Sequence, residues 1–230
     1  MPILILILLL FAVVLGPGLW VRSVMNKYSQ PADRYRFTGR ELARRLLDEL
    51  GMSHVGVEQT QAAGDHYDPV SRCVRLSPDH YGGRSLTAVT VAAHEVGHAI
   101  QHEKRFGPLT WRTQLVGLVR PLEQLGAGLM IASPLIAAVS RSPSVMGLAL
   151  LGGMLTLLLG VLVHGFTLPT EFDASFGRAL PLLEHKQVLH RGDERHARRI
   201  LTAAALTYVS AALMSLLNVG RWFALLRRGF

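Results

Sequence analysis

Thiol chemistry is all but missing from this chain. One residue of 230 is cysteine, Cys73. An intrachain disulfide is therefore impossible, and a zinc site built on thiolates is excluded. Cys73 lies in the alternating run VSRCVRLS and reads as a small packed residue. Charge is scarce as well, at 17% of residues, where a soluble domain carries about a quarter. No basic run is interleaved with aromatics, so the net charge of +8 does not point to nucleic acid. The basic residues flank apolar segments instead. Arg22, Lys27, Arg34 and Arg36 follow the first such segment, and Arg195, Arg198 and Arg199 precede the last. That is a juxtamembrane pattern. There is no internal repeat and no low-complexity linker.

Apolar sequence is abundant, at 50% of residues. Residues 1–21 read as a first transmembrane helix, since about 20 apolar residues cross a bilayer core. This segment lacks a basic n-region and a small-x-small site, so an uncleaved anchor is expected rather than a signal peptide. Residues 22–112 read as a membrane-proximal domain. Spans are expected at 113–140, 144–168 and 202–219, with a polar segment at 169–201. The expected fold is mainly α: a polytopic membrane protein with about four transmembrane helices and a small α+β domain.

Within residues 22–112, TGRELARRLLDELG has the pattern of an amphipathic helix. Thr38 and Glu41 make a capping box, Leu42, Leu46, Leu47 and Leu50 form one face, and Gly51 is the stop. VGVEQT and SRCVRLS alternate like strands, joined by the turn-rich AAGDHYDP, and are expected to pair as a hairpin. A second helix is expected from Leu86 to His102, with Ser85 as N-cap. Pro169 fits the first turn of a new helix. Asp193 reads as the N-cap of a later one. Four crossings place residues 22–112 and 169–201 on one face, and their arginines mark that face as cytoplasmic.

The chemistry lies in VAAHEVGHAIQHEKR. His94 and His98 are four apart and share a helical face. Both imidazoles can then reach one ion at about 2.0–2.1 Å, as zinc requires. Glu95 lies beside them and is placed to take a proton from a metal-activated water and pass it to a leaving nitrogen. With ten histidines and nine glutamates, H-E-x-x-H arises by chance in roughly 2% of shuffled chains, so context must support it. Here the flanks are apolar and helical, and Gly97 leaves room for close packing. His102 continues the spacing but lies about 12 Å from His94 along the axis, too far for one ion to bridge.

A catalytic zinc takes three protein ligands and keeps one open position. Candidates for the third are Glu171, Asp173, Glu184, His185, His190, Asp193, Glu194 and His196 in the polar segment, and Asp65, His66 and Asp68 upstream. His66 or Tyr67 in DHYDP could support an oxyanion, although Asp-Pro after Gly64 is also ordinary turn chemistry. Arg178 lies seven residues after Glu171, on the same face of an α-helix, and could orient that carboxylate or polarise a substrate carbonyl.

The stretches NKYS, DHYDP, VAAHEVGHAIQH, TLPTEFDAS and AALTYVSAAL, in this order and spacing, resemble the YugP-type membrane neutral zinc metallopeptidases of bacteria over nearly the whole chain. The resemblance implies a bacterial inner-membrane protein that binds one zinc per chain. It implies a zinc endopeptidase acting on peptide or membrane-protein substrates, with Glu171 as the third ligand. More distantly the chain is similar to the HtpX and CAAX prenyl protease class. There an aspartate commonly follows the ligand glutamate by four residues. This chain has Ser175 at that position, and Asp173, about 200° around an α-helix from Glu171, is no obvious substitute. Two other readings stand beside the peptidase. One is a metal-binding membrane scaffold with little turnover, against which the intact Glu95 argues. The other is a zinc hydrolase of a non-peptide bond such as a lipid amide.

Overall fold

Helix α1 (Pro2–Tyr28) opens the chain in the computed structural model, which describes residues 2–61, 64–210 and 212–213. Helix α2 (Gly39–Glu49) has the expected capping box. The Thr38 side chain accepts from the Glu41 amide, and the Glu41 carboxylate accepts from the Thr38 amide. Leu42, Leu46 and Leu47 are buried, but Leu50 is 40% exposed. It sits at the C-cap, where Gly51 at φ +74 turns the chain away and takes Leu50 off the helix face.

The strands correct the expected hairpin. β1 (Gly56–Gln59), β2 (His66–Asp68) and β3 (Cys73–Leu76) form a sheet in the order β1-β3-β2. β1 runs parallel to β3, with Val57 opposite Val74. β2 is antiparallel to β3, with Tyr67 also opposite Val74. DHYDP thus supplies a strand of its own as well as a turn. The Asp68 carboxylate accepts from the Val70 amide and the Ser71 hydroxyl and reverses the chain. β3 is the central strand. Its Cys73 is buried, and that burial pushes the thiol up to about 11, as expected of a packed residue.

After α3 (Pro78–Tyr81) comes α4 (Leu86–Glu103), with the Ser85 hydroxyl accepting from the Ala88 amide at its N-cap. Every residue from Leu86 to Gln101 is buried. A helix buried all round is the centre of a core, and α2 and β3 both pack on this one.

α5 (Gly107–Ser140) is a single long helix, followed by α6 (Pro143–Phe172). Pro169 does not begin a new helix. It lies inside α6, which continues directly into a π-helical segment, Asp173–Ala179, and then α7 (Leu180–His185). Helix α8 (Glu194–Ala205) has Asp193 at its N-cap position, but the side chain makes no capping bond. Arg34 and Tyr35 hold that carboxylate instead, at 2.7 Å each.

The chain forms two compact units. One combines Leu19–Thr110 with Leu168–Thr207. Its core joins α2, β3, α4 and α8 through residues such as Leu46, Val74, Val96 and Ile200. The other comprises the described parts of 1–18, 111–167 and 208–230. There α5 and α6 approach through small residues. A Cβ added to Gly153 would meet the Gly126 carbonyl at 2.8 Å, the close contact that small residues allow between apolar helices. The outer faces keep large apolar residues exposed, among them Leu118, Ile131, Leu148 and Leu162, a surface suited to hydrocarbon and not to water. Two helices among the described residues are long and apolar enough to cross a membrane, within Gly107–Ser133 and Ser144–His185. The expected fourth span, 202–219, lies largely outside the described residues. The described residues therefore support a mainly helical protein with two candidate spans, against the four expected.

Candidate metal centre

Three buried side chains meet in the first unit. His94 and His98 stand one turn apart on α4, and Glu171 comes from the last turn of α6. One potential ligand atom from each lies within 4.8 Å of the others. The Glu171 Oε2 is 3.3 Å from the Nε2 of both histidines. Two ligands about 2.1 Å from a tetrahedral zinc stand about 3.4 Å apart, so the spacing fits that ion. Among the described residues this is the one cluster of its kind. Glu95, between the two histidines, is 5% exposed.

The far side of each ring supports the same assignment. The Ser175 hydroxyl lies 3.0 Å from His94 Nδ1 and donates its own proton to the Leu201 carbonyl at 3.3 Å. It therefore accepts from Nδ1–H. The Gln101 Oε1 lies 3.0 Å from His98 Nδ1, while Gln101 Nε2 donates to the Thr170 carbonyl and to Asp173 Oδ2, both at 2.8 Å. That fixes which end of the amide faces His98, so its Nδ1 also carries the proton. In the neutral form of each ring the Nε2 lone pair then faces Glu171, as metal-ligating histidines require. Two imidazoles and a carboxylate, with tautomers set from behind, are a donor set that fits catalytic zinc.

Asp173 proves to be engaged, contrary to the expectation drawn from its direction. It lies off the Glu171 face, and Gln101 reaches across to it from α4. Gln101 itself escaped the sequence reading. Its signal was present: a polar residue three positions after a ligand histidine, on the same helix. Arg178 pairs with Asp173. Its Nε donates to Asp173 at 3.0 Å, and its guanidinium lies over the Phe106 ring.

The remaining candidates have other partners. Asp65 accepts from the Ser77 amide and hydroxyl and pairs with His80 at 2.7 Å. Burial would raise its carboxyl, but these bonds hold it below the usual range. Asp68 serves the β2–β3 turn and pairs with Arg75. His66 is exposed against the Gly64 carbonyl. The Tyr67 hydroxyl bonds to His102 Nδ1 at 2.8 Å, and burial pushes its pKa up to about 12. Glu184 pairs with Arg198, His190 stacks on Tyr35, and His196 stacks on Tyr28. Glu194 accepts from the Gly192 amide, and His185 is exposed.

Comparison with known proteins gives two findings. Residues 3–227 match a family described as "Putative neutral zinc metallopeptidase". The chain is also 36% identical over 220 residues to the "Putative membrane protease YugP" of Bacillus subtilis (strain 168), covering 94% of each chain. No solved structure matches.

Proposed function

This chain belongs to the neutral zinc metallopeptidase family, and on that premise we propose that it hydrolyses peptide bonds at the His94–His98–Glu171 site. The observation that carries the reading is the convergence of three ligand atoms within 4.8 Å, with both Nδ1 atoms engaged on the far side of the rings. Zinc held there, one per chain, would supply Lewis acidity and a water acidic enough to ionise near neutrality. His94 and His98 are the neutral ligands and Glu171 the anionic one. Glu95 takes the proton from the attacking water and delivers it to the departing nitrogen. Tyr67 and His102, joined by their hydrogen bond one turn beyond His98, are the side chains we assign to substrate contact.

We place the protein in the bacterial inner membrane with four crossings and the catalytic unit facing the cytoplasm. The two apolar helices and the arginines flanking the apolar segments support this. Its substrates are then peptides or membrane proteins reached at the bilayer. The direct test compares membrane-protein fragments in cells carrying the wild type and Glu95→Gln. Fragments that vanish in the variant identify substrates, and identical fragment sets would remove the peptidase reading.

A further inference from the structure

The two histidines are held differently. His94 is backed by the neutral Ser175 hydroxyl, which leans on a backbone carbonyl. His98 is backed by a charged chain of side chains. Gln101 is fully buried, at 0% exposure. Its oxygen faces His98 Nδ1, and both amide protons are committed, to the Thr170 carbonyl and to Asp173. Asp173 in turn accepts from Arg178 Nε on the same oxygen. Arg178 is itself steadied over Phe106, whose backbone amide donates to the Gln101 backbone carbonyl at 2.8 Å.

A buried amide with oxygen and both protons engaged cannot flip without setting its oxygen against two acceptors. The Asp173 carboxylate polarises the amide, and the amide oxygen accepts more strongly from His98 Nδ1–H. A ring that donates strongly through one nitrogen is a more basic ligand through the other. We propose that Gln101, held by Asp173 and Arg178, is a positioning residue that locks His98 in its Nδ1–H tautomer and makes it the more firmly held of the two imidazoles. Gln101 touches no substrate and acts through His98. A purely structural tie between α4 and the π-helical segment would leave the tautomer of His98 free. The proposal rests on the reading of His98 as a zinc ligand, and its test is built to fail separately.

The experiment uses the full chain in detergent micelles, stripped of metal and labelled with ¹⁵N-histidine. Long-range ¹H–¹⁵N correlation spectra distinguish the two neutral tautomers of each ring. In the wild type His98 is expected as a single Nδ1–H tautomer, while Gln101→Met, of similar volume, releases it to a mixture. Zinc affinity, read by competition with a chelator, falls about 10–100-fold in that variant. Asp173→Asn keeps the Thr170 bond, so the tautomer persists and affinity falls less. Ser175→Ala disturbs His94 and leaves the His98 signals in place. A wild-type His98 that is Nε2–H or mixed overturns the proposal, and this result needs no variant to fold. Unchanged tautomer and affinity in a folded Gln101→Met also overturns it. If the wild type takes up no zinc, the metal-site reading fails, and the tautomer spectra still decide the relay.

Discussion

A Cβ placed on Gly97 would lie 2.6 Å from the carbonyl oxygen of Ala174. The obstacle is backbone, so no rotamer change relieves it. Ala174 lies between Asp173 and Ser175, which support His98 and His94. Gly97→Ala should therefore destabilise the protein by about 1–3 kcal/mol, the usual range for overpacking, and weaken zinc binding as well. Thermal unfolding in one detergent, with and without zinc, measures both. Wild-type values for the variant would show that the π-helical segment yields freely.

Glu95→Gln should keep about one zinc per chain while hydrolysis falls about 10²–10⁴-fold, the usual cost of losing a general base. Elemental analysis and a peptide-cleavage assay on the same preparation check the two halves. Full activity in the variant would falsify the proton-transfer role.

Glu171→Ala should lose tight zinc binding, because the site keeps two neutral donors and no anion. Glu184→Ala is the matched control, since Glu184 is paired with Arg198 at 3.0 Å and stands apart from the histidines. Stoichiometric zinc and normal turnover in Glu171→Ala would move the third ligand elsewhere.

Asp193 gives a pH prediction. It is 2% exposed. Burial alone would raise its carboxyl, but hydrogen bonds from Arg34 and Tyr35 hold it below the ordinary value of 3.8. A folded pKa below the unfolded one means the ionised group stabilises the fold at neutral pH. That contribution fades as pH falls through the folded value. Asp193→Asn should therefore be less stable than wild type near neutrality, and the gap should close below about pH 4. Unfolding midpoints across that range test the sign, and a gap constant with pH would contradict it.

Cysteines placed at Ser53 and Gln187 should both be labelled from the cytoplasmic side and from no other. Both positions are exposed in the same compact unit, and the native Cys73 is buried, so the background is low. Labelling of both from outside would reverse the orientation, and labelling on opposite sides would break the four-crossing topology.

Local signals were read correctly where local physics decides. The Thr38–Glu41 box, the Ser85 cap and the H-E-x-x-H spacing depend on residues within one or two turns. β2 was read mainly as a turn because a three-residue strand has little pattern of its own, and its partner β3 defines it. Pro169 misled because proline suits a helix start, whereas here α6 absorbs the loss of one backbone bond and continues. The contact between Asp173 and Gln101 was out of reach for a related reason. Their meeting spans 72 residues and depends on a π-helical segment that no local rule announces. Glu171 came from resemblance, since spacing alone left several carboxylates and histidines open.

The unit that holds the candidate metal centre is assembled from two stretches of chain with α5 and most of α6 between them. Ser175 follows His94 by 81 residues. A ribosome therefore delivers the H-E-x-x-H helix well before the carboxylate and hydroxyl that complete its surroundings. A chain interrupted at Thr110 would display the motif yet lack Glu171, Asp173 and Ser175. The metal-ligand set proposed here is thereby completed only after both apolar helices have been made. On the proposed function, the order of synthesis thus keeps the site incomplete until the helices that house it exist.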